Sequence, residues 1–304
     1  MMFDVAKRFP RATGCAAVAA LALALAGNVE AQTAGGTGSG TFEPIVGQQG
    51  KNVIWVPTPP MLIERLMRMA QVTANDIVYD LGSGDGRIAI AAARDFGATS
   101  FGLEYNPDMV AYSRREVAKA GVANRVTIEE ADIYKADFSR ATVVTMYLLP
   151  NINLDLRPTI LNMKPGTRIA SHQFNMGEWT PDDSADFSGR MAYLWIVPAK
   201  VEGKWTFDVM PAPALRVKPP ATPTPYSVTL KQEFQRISGH ATPAEATLGL
   251  RNPILMGDRM RFSFVDEGGR LLEFSGTVSG DTYAGELRTD GGAPTRFSAR
   301  RGPA

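Results

Sequence analysis

Cysteine is all but missing from this chain: among 304 residues Cys15 is the only one, so no internal disulfide can form and no set of thiolates can hold a metal. Histidine is nearly as scarce, with only His172 and His240, and no cluster of His, Asp and Glu has the spacing of metal ligands; no metal is expected. Net charge is missing as well, since 32 Lys and Arg stand against 31 Asp and Glu. Without a basic excess there is no electrostatic case for nucleic acid or an anionic membrane as a general partner. Apolar side chains are not scarce, at 44%, and the length suffices for two domains with ordinary cores.

Residues 1–31 stand apart from the rest. Lys7, Arg8 and Arg11 precede an apolar run from Cys15 to Ala26, and Val29-Glu30-Ala31 leads to Gln32. A basic start, an apolar stretch too short to span a bilayer comfortably and small residues at a cleavage position make a secretory signal, with a periplasmic or secreted mature protein beginning at Gln32. The alternative is an uncleaved membrane anchor, the only membrane contact foreseen. Cleavage removes Cys15; taking Lys7, Arg8 and Arg11 from the 32 bases and Asp4 and Glu30 from the 31 acids leaves 29 of each sign. Residues 32–50 carry six glycines among Thr, Ser and Gln and read as a flexible linker.

The chemistry concentrates in Val78-Tyr79-Asp80-Leu81-Gly82-Ser83-Gly84-Asp85-Gly86-Arg87-Ile88. Ile77 to Leu81 reads as a buried strand and Ile88 to Ala93 as a helix. The alternating glycines between them let the chain turn tightly and let a ligand approach the helix N-terminus. A dinucleotide fingerprint is G-x-G-x-x-G with a pyrophosphate on that N-terminus. Here the spacing is G-x-G-x-G with acids at Asp80 and Asp85, a pattern that repels pyrophosphate and suits the sulfonium and amine of S-adenosylmethionine (SAM). A second apolar run ends in Glu104, 24 residues beyond Asp80, where the next strand of an open sheet offers a carboxylate to ribose hydroxyls. A third, from Val126, ends in Asp132, placed to accept from an adenine amino group.

The D-x-G-x-G-x-G loop at Asp80 to Gly86, the acid Glu104 and the acid Asp132 together resemble the class I SAM-dependent methyltransferases, over about residues 50 to 200. The resemblance implies an α/β, Rossmann-like doubly wound sheet with strand order 3-2-1-4-5-7-6, and SAM as cofactor. It implies a cofactor site drawn from Asp80, Gly82, Ser83, Gly84, Asp85, Gly86, Glu104 and Asp132. Related bacterial methyltransferases carry V-P-T-P ahead of a helix that folds over the cofactor. Val56-Pro57-Thr58-Pro59 before Met61 to Ala70 is similar, which makes Thr58 a cofactor contact and Trp55 a cover, or else a stiff lead-in with Trp55 in the core. Asp80 to Arg87, Glu104-Tyr105-Asn106-Pro107 and Asp132-Ile133-Tyr134-Lys135 also resemble the mitochondrial lysine methyltransferases that act on an ATP-synthase subunit and on adenine nucleotide carriers. The expected partner is a methyl acceptor, a protein lysine or a small molecule.

Methyl transfer from SAM is an in-line displacement, so the protein mainly positions the nucleophile. Many amino-methylating enzymes carry D/N-P-P-Y/F at the end of strand four, whereas Thr142 to Pro150 ends in Tyr147-Leu148-Leu149-Pro150. The departure argues against DNA-type amino methylation and leaves the nucleophile open. The resemblance places the strand-four end beside the methyl, which makes Tyr147, whose phenol can relay a proton, the candidate catalytic residue; the alternative is a Tyr packed beneath the next helix. His172, in a fifth strand expected over Thr167 to Phe174, reads as a hydrogen-bonded structural residue, and Glu178 and Trp179 either line the substrate mouth or pack at the surface. A non-catalytic binding protein of the cell envelope is the competing function. The intact set of acids and glycines favours the enzyme.

Beyond residue 200 the pattern changes. Six prolines between Pro211 and Pro225 read as a linker or long loop. Short, often alternating runs follow at Tyr226 to Lys231, Ala246 to Leu250, Arg259 to Val265, Leu271 to Val278, Thr282 to Leu287 and Thr295 to Ala299. Turns at Gly257-Asp258, Gly268-Gly269, Gly280-Asp281 and Gly291-Gly292 separate several of them, which predicts a small antiparallel β barrel or sandwich. Gly203 to Phe207 fits either its first strand or the last strand of the α/β sheet. The expected domains are a signal at 1–31, a linker at 32–50, a methyltransferase domain at 51–200 that holds SAM, and a β domain at 201–304 for docking, oligomer contacts or stability.

Overall fold

Strands buried on both faces read as continuous apolar runs, and such runs belong in the middle of a parallel sheet. The computed structural model describes residues 41–50, 54–209, 226–242 and 248–303; the signal segment, the linker up to residue 40 and the six-proline stretch lie outside them. In chain order the first part comprises α1 (Pro60–Met69), β1 (Ile77–Leu81), α2 (Arg87–Phe96), β2 (Thr99–Glu104), α3 (Pro107–Lys119), β3 (Val126–Glu130), β4 (Val143–Met146), α4 (Pro150–Leu161), β5 (Arg168–His172), β6 (Asp183–Phe187) and β7 (Arg190–Ile196). Fully buried β4 and nearly fully buried β1 lie at the centre of a seven-stranded sheet ordered β3-β2-β1-β4-β5-β7-β6. The strands from β3 to β5 run parallel, and β7 is antiparallel to both its neighbours. This is the Rossmann-like order that the resemblance implies.

Local chemistry sets the element boundaries. Proline at the first turn starts α1, α3 and α4, and the Asn106 side chain caps α3 by accepting from the N–H groups of Asp108 and Met109. The fourth strand is shorter than its β-branched run suggests. It stops at Met146, and Tyr147 to Leu149 instead lead into α4, which starts at Pro150. β6 gave no apolar signal because Asp183-Ser184-Ala185-Asp186-Phe187 is a mostly exposed edge strand, where polar side chains are tolerated. A tight turn at Ser188 and Gly189, both at positive φ, pairs it with β7. At the far edge of the sheet Asp76 accepts from Thr73, Thr142 and Arg168, joining the entry of β1 to β4 and β5.

The second sheet is wholly antiparallel. Its strands are β8 (Gly203–Val209), β9 (Ser227–Glu233), β10 (Arg236–Thr242), β11 (Leu248–Gly249), β12 (Arg251–Met256), β13 (Arg259–Val265), β14 (Leu271–Ser279), β15 (Thr282–Thr289) and β16 (Thr295–Arg301), ordered β11-β10-β9-β8-β16-β15-β14-β13-β12. β11 runs into β12 through Leu250, whose N–H donates to the Gly239 carbonyl at 3.1 Å, so the two ends of the sheet meet and the structure is a nearly closed barrel. Its core is aromatic: Trp205, Phe207, Phe262, Phe264, Phe274, Tyr283 and Phe297 are all buried together. Gly203 to Phe207 pairs with β9 and β16, which settles its sheet as this one. Two strands gave no signal, β10 with Gly239 inside it and β12 with a bulge at Asn252-Pro253, where Asn252 has φ 46°.

Candidate functional site

Because β1 to β5 run parallel, their carboxyl ends meet at one edge, the place where open α/β sheets hold ligands. The segments leaving those ends enclose a cavity of about 300 Å³. Its wall takes Asp80, Gly82, Ser83, Gly84 and Asp85 from the β1–α2 turn, Glu104 from the end of β2, Asp132 beyond β3, Tyr147 beyond β4 and Phe174 beyond β5. Trp55 and Thr58, ahead of α1, complete it. Gly86 is not on the wall. It precedes α2 at φ 78°, and a Cβ there would stand 3.2 Å from the Ser113 side chain, so its place in the motif serves the turn and the packing of α2.

The glycine turn is held from below and from above. Glu104 Oε2 accepts from the Gly84 N–H and Oε1 from the Asn106 N–H, each at 2.9 Å, so the end of β2 fixes both the turn and the start of α3. Above, the Trp55 indole lies so close that a Cβ on Gly84 would come within 2.5 Å of its nitrogen. Gly84 also has φ 55°, so glycine is required there twice over. Asp132 accepts from the Tyr134 N–H at 3.1 Å, and the Ser83 hydroxyl is buried without a hydrogen-bond partner among the described residues.

The acids are not equivalent. The Arg87 guanidinium grips Asp85, at 2.6 Å from Nη2, and its other arm reaches the Thr58 carbonyl at 3.2 Å, stapling the turn to the covering segment. Asp85 is therefore paired within its own turn, and its charge is partly compensated. Asp80 is buried and accepts from the Thr145 hydroxyl at 2.7 Å. Loss of solvent outweighs that bond and, with Asp85 and Glu104 nearby, pushes its carboxyl up to about 7. The cavity wall thus carries four acids, Asp80, Asp85, Glu104 and Asp132, against one base, Arg87. That excess disfavours a pyrophosphate and fits a ligand with a cationic sulfonium and amine.

The opposite end of the cavity is aromatic. The half-buried Tyr147 ring packs against His172, tilted by 34° with centroids 3.7 Å apart, and stacks at 6.0 Å from Phe174. His172 is buried, its Nδ1 lies 3.1 Å from the Thr58 hydroxyl, and burial, with Arg190 nearby, lowers it to about 4, so it stays neutral at ordinary pH. Thr58 therefore commits its hydroxyl to His172 and its carbonyl to Arg87. Neither Glu178 nor Trp179 is on the cavity wall: Glu178 is exposed and Trp179 is completely buried. Phe174, Tyr105 and Tyr134 line the cavity although no sequence motif gave them a role. Tyr105 follows Glu104 directly and Tyr134 lies two residues past Asp132, so adjacency to the strand-end acids was the signal available for both.

Comparison with known proteins identifies the family. A family model described as the ANTKMT methyltransferase domain matches residues 80–183. A protein-lysine N-methyltransferase of Saccharolobus islandicus (strain REY15A) is 42% identical over 134 residues, spanning 43% of this chain and 83% of that protein. The adenine nucleotide translocase lysine N-methyltransferase of Mus musculus is 32% identical over 133 residues, 43% of this chain; the chain spans about half that relative, 53%. Among solved structures, an RNA methyltransferase from Salinibacter ruber in complex with S-adenosyl-L-homocysteine is 46% identical and covers 48% of this chain and 96% of its own, with a TM-score of 0.47. The chain belongs to the class I SAM-dependent methyltransferases. It is a methyltransferase that uses SAM as its cofactor.

Two outcomes test the cofactor end. Glu104→Ala removes the charge-assisted bonds that fix the glycine turn, each worth about 1.5–3 kcal/mol, and should weaken SAM binding at least about tenfold by titration calorimetry. Equal affinity would contradict the assignment. For Asp80, a folded-state carboxyl raised to about 7 means that between the ordinary carboxylate range and pH 7 the native protein holds a proton the unfolded chain has lost. Buried His172, lowered to about 4, acts in the opposite sense over part of the same window in both proteins, so the stability of the ligand-free wild type should fall relative to that of Asp80→Asn as pH rises through it. Melting temperatures measured from pH 4 to 8 decide it, and parallel curves would refute the raised carboxyl.

Proposed function

We propose that this enzyme methylates the side-chain amine of lysine in a protein acceptor, and that it works outside the cytoplasm. The observation that carries the acceptor class is the Tyr147–Phe174 wall at the carboxyl ends of β4 and β5. It offers flat apolar surface for a methylene chain, where a D/N-P-P-Y/F motif would offer side-chain amides and carbonyls. The names of the relatives from Saccharolobus islandicus and Mus musculus support the same class.

SAM supplies an activated methyl group. In this reading Glu104 takes the ribose hydroxyls, Asp132 the adenine amino group, and the turn from Gly82 to Gly84 the methionyl end, while Thr58 braces the covering segment. The acidic wall draws a lysine cation to the cavity. The amine must then arrive uncharged beside Tyr147, whose ring His172 holds in place without contributing charge. The lysine nitrogen forms its bond to the methyl carbon as the carbon–sulfur bond breaks, and its surplus proton leaves to solvent, with the Tyr147 phenol placed to relay it.

Residues 1–31 support export, with a mature N-terminus at Gln32. No helix among the described residues is long and apolar enough to cross a membrane. Mature protein incubated with methyl-labelled SAM and poly-L-lysine should yield methyl-lysine by mass spectrometry, and Tyr147→Phe should lower kcat about tenfold or more while leaving SAM affinity unchanged. Label found only on small molecules would replace lysine as the acceptor class. Label on nothing, with SAM still bound, would favour the envelope binding protein. Mass spectrometry of the protein from its fractionated host tests export, and full-length chain in the cytosol would remove that proposal.

A further inference from the structure

A bulky aromatic with positive φ is rare, since its Cβ crowds the carbonyl, and it persists only where the surroundings hold it. Phe234, at the tip of the β9–β10 hairpin, has φ 53°. The surroundings that hold it belong to the other sheet. Its ring stacks on Trp179, 6.1 Å between centroids at 12°, and the Arg157 guanidinium sits 5.5 Å from its centre. Beside it Gln235 Nε2 donates to the Thr180 carbonyl at 2.7 Å, and Arg236 donates to the Thr180 hydroxyl at 2.5 Å. The hairpin tip thus closes on the loop between β5 and β6.

That loop begins at the cavity wall. Asn153 on α4 donates to the carbonyls of Phe174 and Asn175, Arg157 donates to the Met176 carbonyl at 2.9 Å, and Trp195 Nε1 donates to the Trp179 carbonyl at 2.7 Å. The Trp179 side chain is completely buried, and its own N–H has no partner among the described residues, so packing holds it, with the Phe234 ring as one face of its slot. The segment is pinned on the α4 side by hydrogen bonds and on the barrel side by the hairpin, and Phe174 leads into it.

We infer that the β9–β10 hairpin of the barrel is a positioning element for the methyl acceptor: Phe234 and Gln235 hold the β5–β6 loop, and through it Phe174, against Tyr147. The inference rests on reading the Tyr147–Phe174 wall as the acceptor side. It assigns the barrel a part in acceptor binding and none in cofactor binding, because Asp80, Gly84 and Asp85 are held by Thr145, Glu104, Arg87 and Trp55, which belong to the first sheet and its connections or to the segment ahead of α1.

Phe234→Gly in the full mature protein separates this from a general stabilising role, since glycine relieves the positive φ and keeps the hairpin while deleting the stacked ring. Hydrogen exchange followed by mass spectrometry should show protection across residues 173–182 falling about tenfold, with the barrel strands unchanged. S-adenosylhomocysteine affinity should be unchanged, and with poly-L-lysine as acceptor KM should rise about tenfold while kcat stays within about twofold. Unchanged protection at 173–182 overturns the inference, as does a loss of S-adenosylhomocysteine affinity matching the rise in KM. A wild-type protein that leaves poly-L-lysine unmethylated overturns the lysine reading instead, and the exchange and S-adenosylhomocysteine results then decide the clamp alone.

Discussion

Both oxygens of one carboxylate are engaged at the point where the site is organised: Glu104 binds the Gly84 N–H with one and the Asn106 N–H with the other. The strand end, the glycine turn and the residue that caps α3 are thereby fixed relative to each other. Asn106 passes the constraint on by capping α3, and Gly84 passes it upward to the Trp55 ring laid across it. Removing the carboxylate would leave two backbone donors seeking partners in a partly buried place and would free a turn of glycines whose conformational entropy opposes order. Local folding of the cavity rim therefore depends on the side chain that is also proposed to take the ribose hydroxyls.

Electrostatics then decide what the cavity can hold. Four acids face it with a single arginine, and that arginine is committed to Asp85 and the Thr58 carbonyl. Asp80, deprived of water, resists ionisation near neutrality, which lessens the mutual repulsion of the acids in the ligand-free protein. A cationic ligand relieves the remaining repulsion. The far end carries no such charge, because His172 is neutral where it packs against Tyr147. Its surface is aromatic, formed by Tyr147 and Phe174.

What could be read from the sequence was what is local. The strand before the glycine turn, the turn, the helix after it and the capping Asn106-Pro107 lie within a few residues of one another, and β1 falls on Ile77 to Leu81 as its apolar run predicts. The acids at the ends of β2 and β3 were legible because each closes an apolar run. Features that depend on partners far along the chain were not: the Thr58–His172 bond spans 114 residues, and Phe234 meets Trp179 from the other sheet. β6, β10 and β12 escaped because an exposed edge, a glycine and a proline bulge each break the alternation on which strand reading relies. Arg87 was in plain view two residues from Asp85, but only the folded turn brings its fork onto that carboxylate.

The carboxyl edge of the first sheet is built for a sulfonium cofactor and against a phosphate-bearing one. Titration calorimetry of the purified mature protein with SAM and, separately, with NAD puts that selectivity to the test. One SAM should bind per chain, with no binding heat from NAD. Saturable NAD binding in a protein that ignores SAM would contradict it.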